Sequence, residues 1–281
     1  MAFVLVTGAA RGIGNTLARR LLTRGEEVLA VVRKTTDRDK FPDSPRLHLV
    51  VMDVADSASV LNGFAEVDRI LATRPLHAVV NCAAIAPPGA IELTSLEEFE
   101  QVFNTNAMGS LRMMKAAIPR LRGHGGRLIF VTSLWGQASG AMLGAYCASK
   151  HAVESLADTA RRETAGQNLH VIVTEPGVVK TDMYESNMPA TQALIAKMSD
   201  QDKSRYGALY QRYFKTVSGA RGTAISADEA ARQIERAIYA ARPATRYRFG
   251  MDSKIVCFLN WLLPDRWMDA LMGLSLNNKP L

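Results

Sequence analysis

Cysteine is scarce in this chain: Cys82, Cys147 and Cys257 are the only three among 281 residues. They lie far apart and are odd in number. That excludes a disulfide framework and any thiolate cluster with metal-ligand spacing, so reduced thiols and a cytoplasmic setting are expected. The five histidines (His48, His77, His124, His151, His170) show neither HExxH nor paired spacing, which leaves them surface or packing roles and predicts no metal site. No stretch reaches the roughly 18 uninterrupted apolar residues of a membrane span. The run from Met1 to Thr7 is too short for a signal h-region and enters a glycine turn directly, so it reads as a first strand. A formal charge of +7 asks for an anionic partner. The Lys and Arg residues are scattered, with no run interleaved with aromatics, which disfavours nucleic acid and favours a phosphate-bearing small molecule.

What is present is alternation. Apolar, β-branched runs at Phe3–Val6, Glu27–Val32, Leu47–Met52, His77–Asn81, Arg127–Thr132, Leu169–Thr174 and Thr245–Phe249 read as strands. Between them lie helical patterns at Thr16–Arg24, Ser57–Ala72, Ser95–Leu121, Leu143–Ala165 and Asp228–Ala241. Strands alternating with helices predict one α/β domain, a doubly wound parallel sheet of about seven strands with helices on both faces. Right-handed crossovers then gather the strand ends at one carboxyl edge.

The first strand runs into Thr7-Gly8-Ala9-Ala10-Arg11-Gly12-Ile13-Gly14 and then a helix. Glycines there let backbone approach a pyrophosphate, and the helix N-terminus offers unpaired amides to the anion. About twenty residues further on, where a ribose-reading acid is usual, stand Val32 and Arg33. A guanidinium can fork onto a 2′-phosphate, with Arg11 as a second cation, so NADP(H) is preferred to NAD(H). The lesser alternative is that both arginines are solvated surface residues, and Asp37 is a rival acid beyond the strand end. Asp53, followed by Val54, is open to two roles: accepting from an adenine amino group, or capping the next helix.

The chemistry centres on Ser133, Tyr146 and Lys150. Residues four apart share a helix face, so Lys150 lies one turn behind Tyr146, and the preceding strand delivers Ser133. Using a phenol near neutrality needs a shift of up to about three pKa units, roughly 4 kcal/mol, which an adjacent ammonium is expected to supply. Asn106, beside Gly109 inside a helical pattern, is unfavourable by propensity. It either bends the helix or serves a site, where a bound water would link Lys150 to solvent.

With these residues in order, the chain resembles the short-chain dehydrogenase/reductase family over roughly residues 2–250. The resemblance rests on Thr7-Gly8…Gly12…Gly14, Asp53, Asn81-Cys82-Ala83-Ala84, Asn106, Ser133, Tyr146…Lys150 and Pro176-Gly177…Thr181. It implies a Rossmann-type fold, with Tyr146 as acid/base, Ser133 polarising the substrate oxygen, Lys150 lowering the tyrosine pKa, and Asn106 anchoring a relay water. It implies a cofactor site of Gly8, Arg11, Gly12, Ile13, Gly14, Arg33, Asp53, Val54, Asn81, Ala83, Tyr146, Lys150, Pro176, Gly177, Val179 and Thr181. Ala84 stands where the family usually has glycine, adding a methyl to the ribose pocket. A homodimer or homotetramer is implied as well.

The stretch at about 182–222, in the family's lid position, carries Met183, Tyr184 and further Met and Tyr residues that suit a lipophilic substrate or simple packing. Trp135 and Met142, flanking the catalytic residues, share that ambiguity. Residues 1–250 are thus read as the dinucleotide-binding and catalytic domain and 251–281 as an extension resembling those of retinol- and steroid-type members. Its apolar run, broken by Asn260 and stopped by Pro264, is open to three readings: docking on its own core or a partner subunit, roofing the substrate pocket, or lying on a membrane surface. The expected function is an NADP(H)-dependent oxidoreductase interconverting an alcohol and a ketone or aldehyde on a lipophilic small molecule. Its rivals are a catalytically silent NADP-binding sensor or scaffold and a same-fold dehydratase or epimerase.

Overall fold

The computed structural model describes residues 1–181, 192–219 and 224–275. Its strands are β1 (Phe3–Thr7), β2 (Glu27–Val32), β3 (Leu47–Val51), β4 (Leu76–Asn81), β5 (Gly126–Val131), β6 (Leu169–Pro176), the two-residue pair β7 (Val179–Lys180) and β8 (Ile225–Ser226), and β9 (Arg246–Phe249). The main helices are α1 (Gly12–Thr23), α2 (Ser57–Leu71), α3 (Leu96–Phe103), α4 (Gly109–Leu121), α5 (Gly144–Glu163), α6 (Asp200–Gly219), α7 (Ala227–Tyr239), α8 (Met251–Leu262) and α9 (Asp265–Ser275).

The pleat sorts the core into two layers. On β1, Phe3 and Leu5 face one side, where Phe64 of α2, Met113 of α4 and Val153 of α5 pack. Val4 and Val6 face the other, against Leu17 and Leu21 of α1 and Ile234 of α7. Each such side chain, fully buried, contributes roughly 1.5–3 kcal/mol, and strands apolar on both faces are stable only between two helix layers. The strands pair in parallel in the order β3-β2-β1-β4-β5-β6-β9. Strand order reverses between β1 and β4, which opens a crevice at their carboxyl ends.

The expected doubly wound sheet is therefore present, with local differences. The first helix begins at Gly12, so the glycine turn is its first turn. The helix expected over residues 95–121 is broken by a π-helical turn at Asn104–Met108, where Asn106 sits. The cap of α2 is Asp56, accepting from Ser59 N at 2.8 Å, which removes the capping role considered for Asp53. The tail forms two helices that break at Pro264, because the residue before a proline is disfavoured in helical geometry.

Candidate active site

A cavity of about 1890 Å³ occupies the crevice. Small-molecule pockets are usually some 300–1,000 Å³, so there is room for a dinucleotide and a substrate together. Gly8, Arg11, Gly12, Ile13, Gly14, Arg33, Asp53, Val54, Ala83, Ser133, Trp135, Tyr146, Lys150, Pro176, Gly177, Val179 and Thr181 all line it.

At its β1 end, Gly8 has φ +64°, and a Cβ on Gly14 would stand 2.5 Å from the Gly8 carbonyl oxygen. Side chains are excluded there, so backbone amides face the cavity. The N-terminus of α1 has no side-chain cap and no acid in its first turn, which leaves its dipole for an anion. Around the end of β2, Arg11, Arg33 and Lys34 are exposed and pair with no described residue, while Lys40 holds Asp37 at 2.6 Å. Asp37, considered as a rival ribose acceptor, is thereby committed, and the lysine ammonium holds its carboxyl below the usual carboxylate range. Asp53 lines the cleft, with one oxygen accepting from Ala55 N at 2.9 Å and the other free of protein partners among the described residues. The amides, the open helix end and the cations fit a phosphorylated dinucleotide.

Two expected cofactor and catalytic residues do not reach the cavity. Asn81 is buried, its Oδ1 accepting from Thr7 Oγ1 at 2.8 Å and its Nδ2 donating to Ser110 Oγ at 2.7 Å. Asn106 is 1% exposed. Its Oδ1 accepts from Ile85 N and its Nδ2 donates to Ile85 O, both at 2.9 Å, and also to Ser149 Oγ at 3.0 Å. Its carbonyl accepts from Ser110 Oγ at 2.5 Å, and Ser149 Oγ donates to Tyr146 O at 2.7 Å. Thr7, Asn81, Ser110, Asn106, Ser149 and Tyr146 thus form one buried polar chain from the cofactor strand to the catalytic helix. The unfavourable mid-helix asparagine is explained: the π turn aims its amide at Ile85, and its side chain clamps the loop that follows β4.

Ser133, Tyr146 and Lys150 converge as expected, but their electrostatics differ. Burial pushes the Tyr146 phenol up to about 12, against an opposing hydrogen bond with Ser133. Lys150 is 4% exposed, and burial pushes its ammonium down to about 8. Its Nζ donates to Val131 O at 2.8 Å and lies 5.6 Å from the Tyr146 ring centroid. The expected lowering of the tyrosine by the lysine is therefore not seen: burial sets the direction of the shift, and the described bond of the lysine ammonium goes to a backbone carbonyl.

At the substrate end, Trp135 lines the cleft and Met142 does not. Met142 takes φ +70° and packs with Ala90 and Tyr210 beneath α6, so its expected substrate contact is replaced by a structural one. Met183 and Tyr184 lie outside the described residues. The tail roofs the cleft: Asn260, Arg266, Met268 and Met272 line it with Gln137. Of the three readings open for the tail, roofing the pocket is the one this lining matches, whereas Gln137 and Arg266 were not singled out from the sequence. Behind this end, Glu175, 0% exposed, accepts from Gln137 Nε2 at 3.0 Å and is paired with Arg246 and Arg248 of β9. It ties the loop after Ser133 to the strand end bearing Pro176.

Comparison with known proteins gives the same picture. The model of the "short chain dehydrogenase" family matches residues 2–192. The chain is 31% identical to human retinol dehydrogenase 5 over 279 residues, covering 96% of this chain and 87% of that one. It is 27% identical to an NADPH-dependent 3-dehydrocapnine reductase of Ornithobacterium rhinotracheale, covering 96% of both. Its fold superposes on a short chain dehydrogenase from Burkholderia cenocepacia J2315 in complex with NADP, with TM-score 0.73, 23% identity, and 99% and 98% of the two chains covered.

The asparagine clamp is open to test. Asn106→Ala strips partners from both backbone groups of Ile85 and should cost about 2 kcal/mol. The midpoint of thermal unfolding followed by circular dichroism should fall by about 4 °C.

Proposed function

The chain belongs to the short-chain dehydrogenase family, and from that premise we propose that it is an NADP(H)-dependent oxidoreductase interconverting an alcohol and a ketone or aldehyde on a lipophilic small molecule. The observation that carries this reading is the convergence of Ser133, Tyr146 and Lys150 on a cavity whose other end presents a bare helix N-terminus and unpaired arginines. A retinol dehydrogenase and an NADPH-dependent reductase among its relatives support the same chemistry.

NADPH, when bound, supplies the hydride to the carbonyl carbon. The chain's own residues handle the proton and the charge. Ser133 and Tyr146 offer two hydroxyls to the carbonyl oxygen, and as negative charge grows there Tyr146 gives up its phenolic proton. The product is the alcohol, and the remaining phenolate is stabilised by the Ser133 hydroxyl, while Lys150 holds the nicotinamide ribose, as the family resemblance implies. Burial favours the neutral phenol, the form that gives the proton in reduction. Reduction is the direction expected with NADPH as the reductant. Arg11, Arg33 and Lys34 receive the 2′-phosphate, and the backbone around Gly8 and Gly12 receives the pyrophosphate. Trp135, Met268 and Met272 supply apolar cover for the substrate, with Met183 and Tyr184 of the lid added to that set. The working form is a cytoplasmic homodimer or homotetramer, as the family resemblance implies.

Two outcomes follow for NADPH consumption with a panel of ketones and aldehydes. Stoichiometric oxidation of NADPH is expected, which a dehydratase, an epimerase or a silent binder would not show. Arg33→Ser should raise KM for NADPH by about 10- to 100-fold, the loss of one charge-assisted bond, and leave KM for NADH unchanged. The pH profile has a defined sign. Reduction should be flat over roughly pH 6–7 and fall as pH passes about 8, where Lys150 loses its charge. Oxidation should climb with pH, because it needs the phenolate.

A further inference from the structure

A buried carboxylate lies one turn beyond Lys150 on α5: Glu154, 5% exposed and on the same helix face. Its two oxygens are held from two different strands. Thr132 Oγ1, just past the end of β5, donates to Oε1 at 2.6 Å. Arg246 of β9 donates to Oε2 from Nη2 at 3.0 Å and from Nε at 3.2 Å. Both partners donate, so the anion is the form this geometry accepts. The loop after Ser133 closes over the same spot. A Cβ on Gly136 would stand 3.1 Å from Glu154 Cγ and 3.3 Å from the Lys150 carbonyl oxygen, and the glycine lets the loop pack this closely. Glu154 thus meets both the residue before Ser133 and the loop that follows it.

An ion pair in a dry interior adds little net stability over apolar side chains of the same size. The charge also acts on its neighbours. Arg246 is divided among three carboxylates, reaching Asp158 at 2.8 Å and Glu175 at 3.2 Å as well as Glu154. Asp158 has further partners in Arg161 and Arg162, and Glu175 in Arg248. Glu154 has no second cation paired with it among the described residues, so its field is the least neutralised of the three. That field falls on Lys150, whose Nζ donates to Val131 O, next to Thr132. Burial pushes the Lys150 ammonium down to about 8, against the fields of Cys82 and Glu154. Burial also pushes the Cys82 thiol up to about 12, toward its neutral form, so the standing negative charge is the carboxylate's. Tyr146 on α5 and Cys257 of α8 are likewise shifted toward their neutral forms. The Glu154 carboxyl is itself raised by burial, with Glu175 adding to the rise and Thr132 and Arg246 opposing it.

We propose that Glu154 is a positioning residue for carbonyl reduction: it keeps the Lys150 ammonium charged inside the dry cleft and, through Thr132, fixes the strand end from which Ser133 projects. Its side chain is not part of the cavity wall, whereas Thr132, Ser133 and Lys150 all are, so it acts through them. The role in reduction rests on the oxidoreductase reading; the charge linkage to Lys150 does not.

Glu154→Gln removes the charge and keeps the bonds. The amide oxygen accepts from Arg246, the amide nitrogen donates to Thr132 Oγ1, and that hydroxyl donates to Thr174 O at 3.1 Å. Two series are read from about pH 6 to about pH 9: single-turnover reduction of a carbonyl, and the NADPH dissociation constant by fluorescence, which needs no turnover. Wild-type rate and affinity should fall as pH passes about 8. In the variant the fall should come roughly one unit lower. Reduction is then about fivefold slower than wild type near pH 8 and nearly equal near pH 6. Glu175→Gln, which neutralises another buried carboxylate of the same cluster, should lower the melting temperature and leave the fall where it is. Should the single variant not fold, Glu154→Gln with Arg246→Gln removes both charges together and leaves Asp158 its Arg161 and Glu175 its Arg248. The same shift is expected. A fall at the wild-type pH in a folded variant makes Glu154 a packing residue and overturns the proposal. So does an equal shift in Glu175→Gln, or a wild type that shows no fall in either series. A wild type that reduces no carbonyl sinks the oxidoreductase reading alone, and the affinity series still decides whether Glu154 holds the lysine charged.

Discussion

The structure depends on one buried polar chain that crosses the core. Thr7 at the end of β1, Asn81 at the end of β4, Ser110 and Asn106 in and beside the π turn, and Ser149 on α5 are joined by consecutive hydrogen bonds ending on the Tyr146 carbonyl. Each polar group has a partner, so burial carries no unsatisfied penalty, and the end of β1 is locked in register with the helix that carries Tyr146. Asparagine suits two of the links because its amide both donates and accepts. Neither asparagine touches the cavity, and both fix where the groups that do touch it stand.

The same dryness that makes this chain strong sets the chemistry. Removing water from around Tyr146 favours the neutral phenol, and removing it from Lys150 favours the neutral amine, so the two groups move toward opposite ends of the pH scale. The result is a phenol shifted up and an ammonium shifted down by the same burial, side by side on α5. Glu154 and Glu175 extend the buried charge behind the site, held by Arg246 and Arg248, and they tie the catalytic loop to the sheet edge and so to the tail.

Much of this was legible in the sequence, for physical reasons. Strand-turn-helix alternation predicts the parallel, doubly wound sheet, the four-residue interval from Tyr146 to Lys150 fixes their shared face, and the misfit of Asn106 in a helix points to a distorted turn or a site. What was not legible depends on packing at long range. Met142 has the composition of a pocket residue but is drawn under α6 by Tyr210 and Ala90. Asp53 is open to a capping role until the backbone gives that role to Asp56. The sign of the tyrosine shift follows from how dry the cleft is, which spacing alone cannot tell. The tail reads as generic apolar sequence until its Asn260 is seen to bond Gln137 of the catalytic loop.

The proposed function assigns the Tyr146 hydroxyl as the proton donor in the cleft, and replacing it alone tests this most directly. With Tyr146→Phe, titration of NADPH fluorescence should give a dissociation constant within about threefold of the wild type, since one hydroxyl is removed and the glycine turn and its cations are intact. Single-turnover reduction of a carbonyl should be lost by a factor of about 10² to 10⁴, the usual contribution of a positioned acid. Tight binding with turnover lost is the predicted result. Turnover retained at the wild-type rate would contradict the assignment.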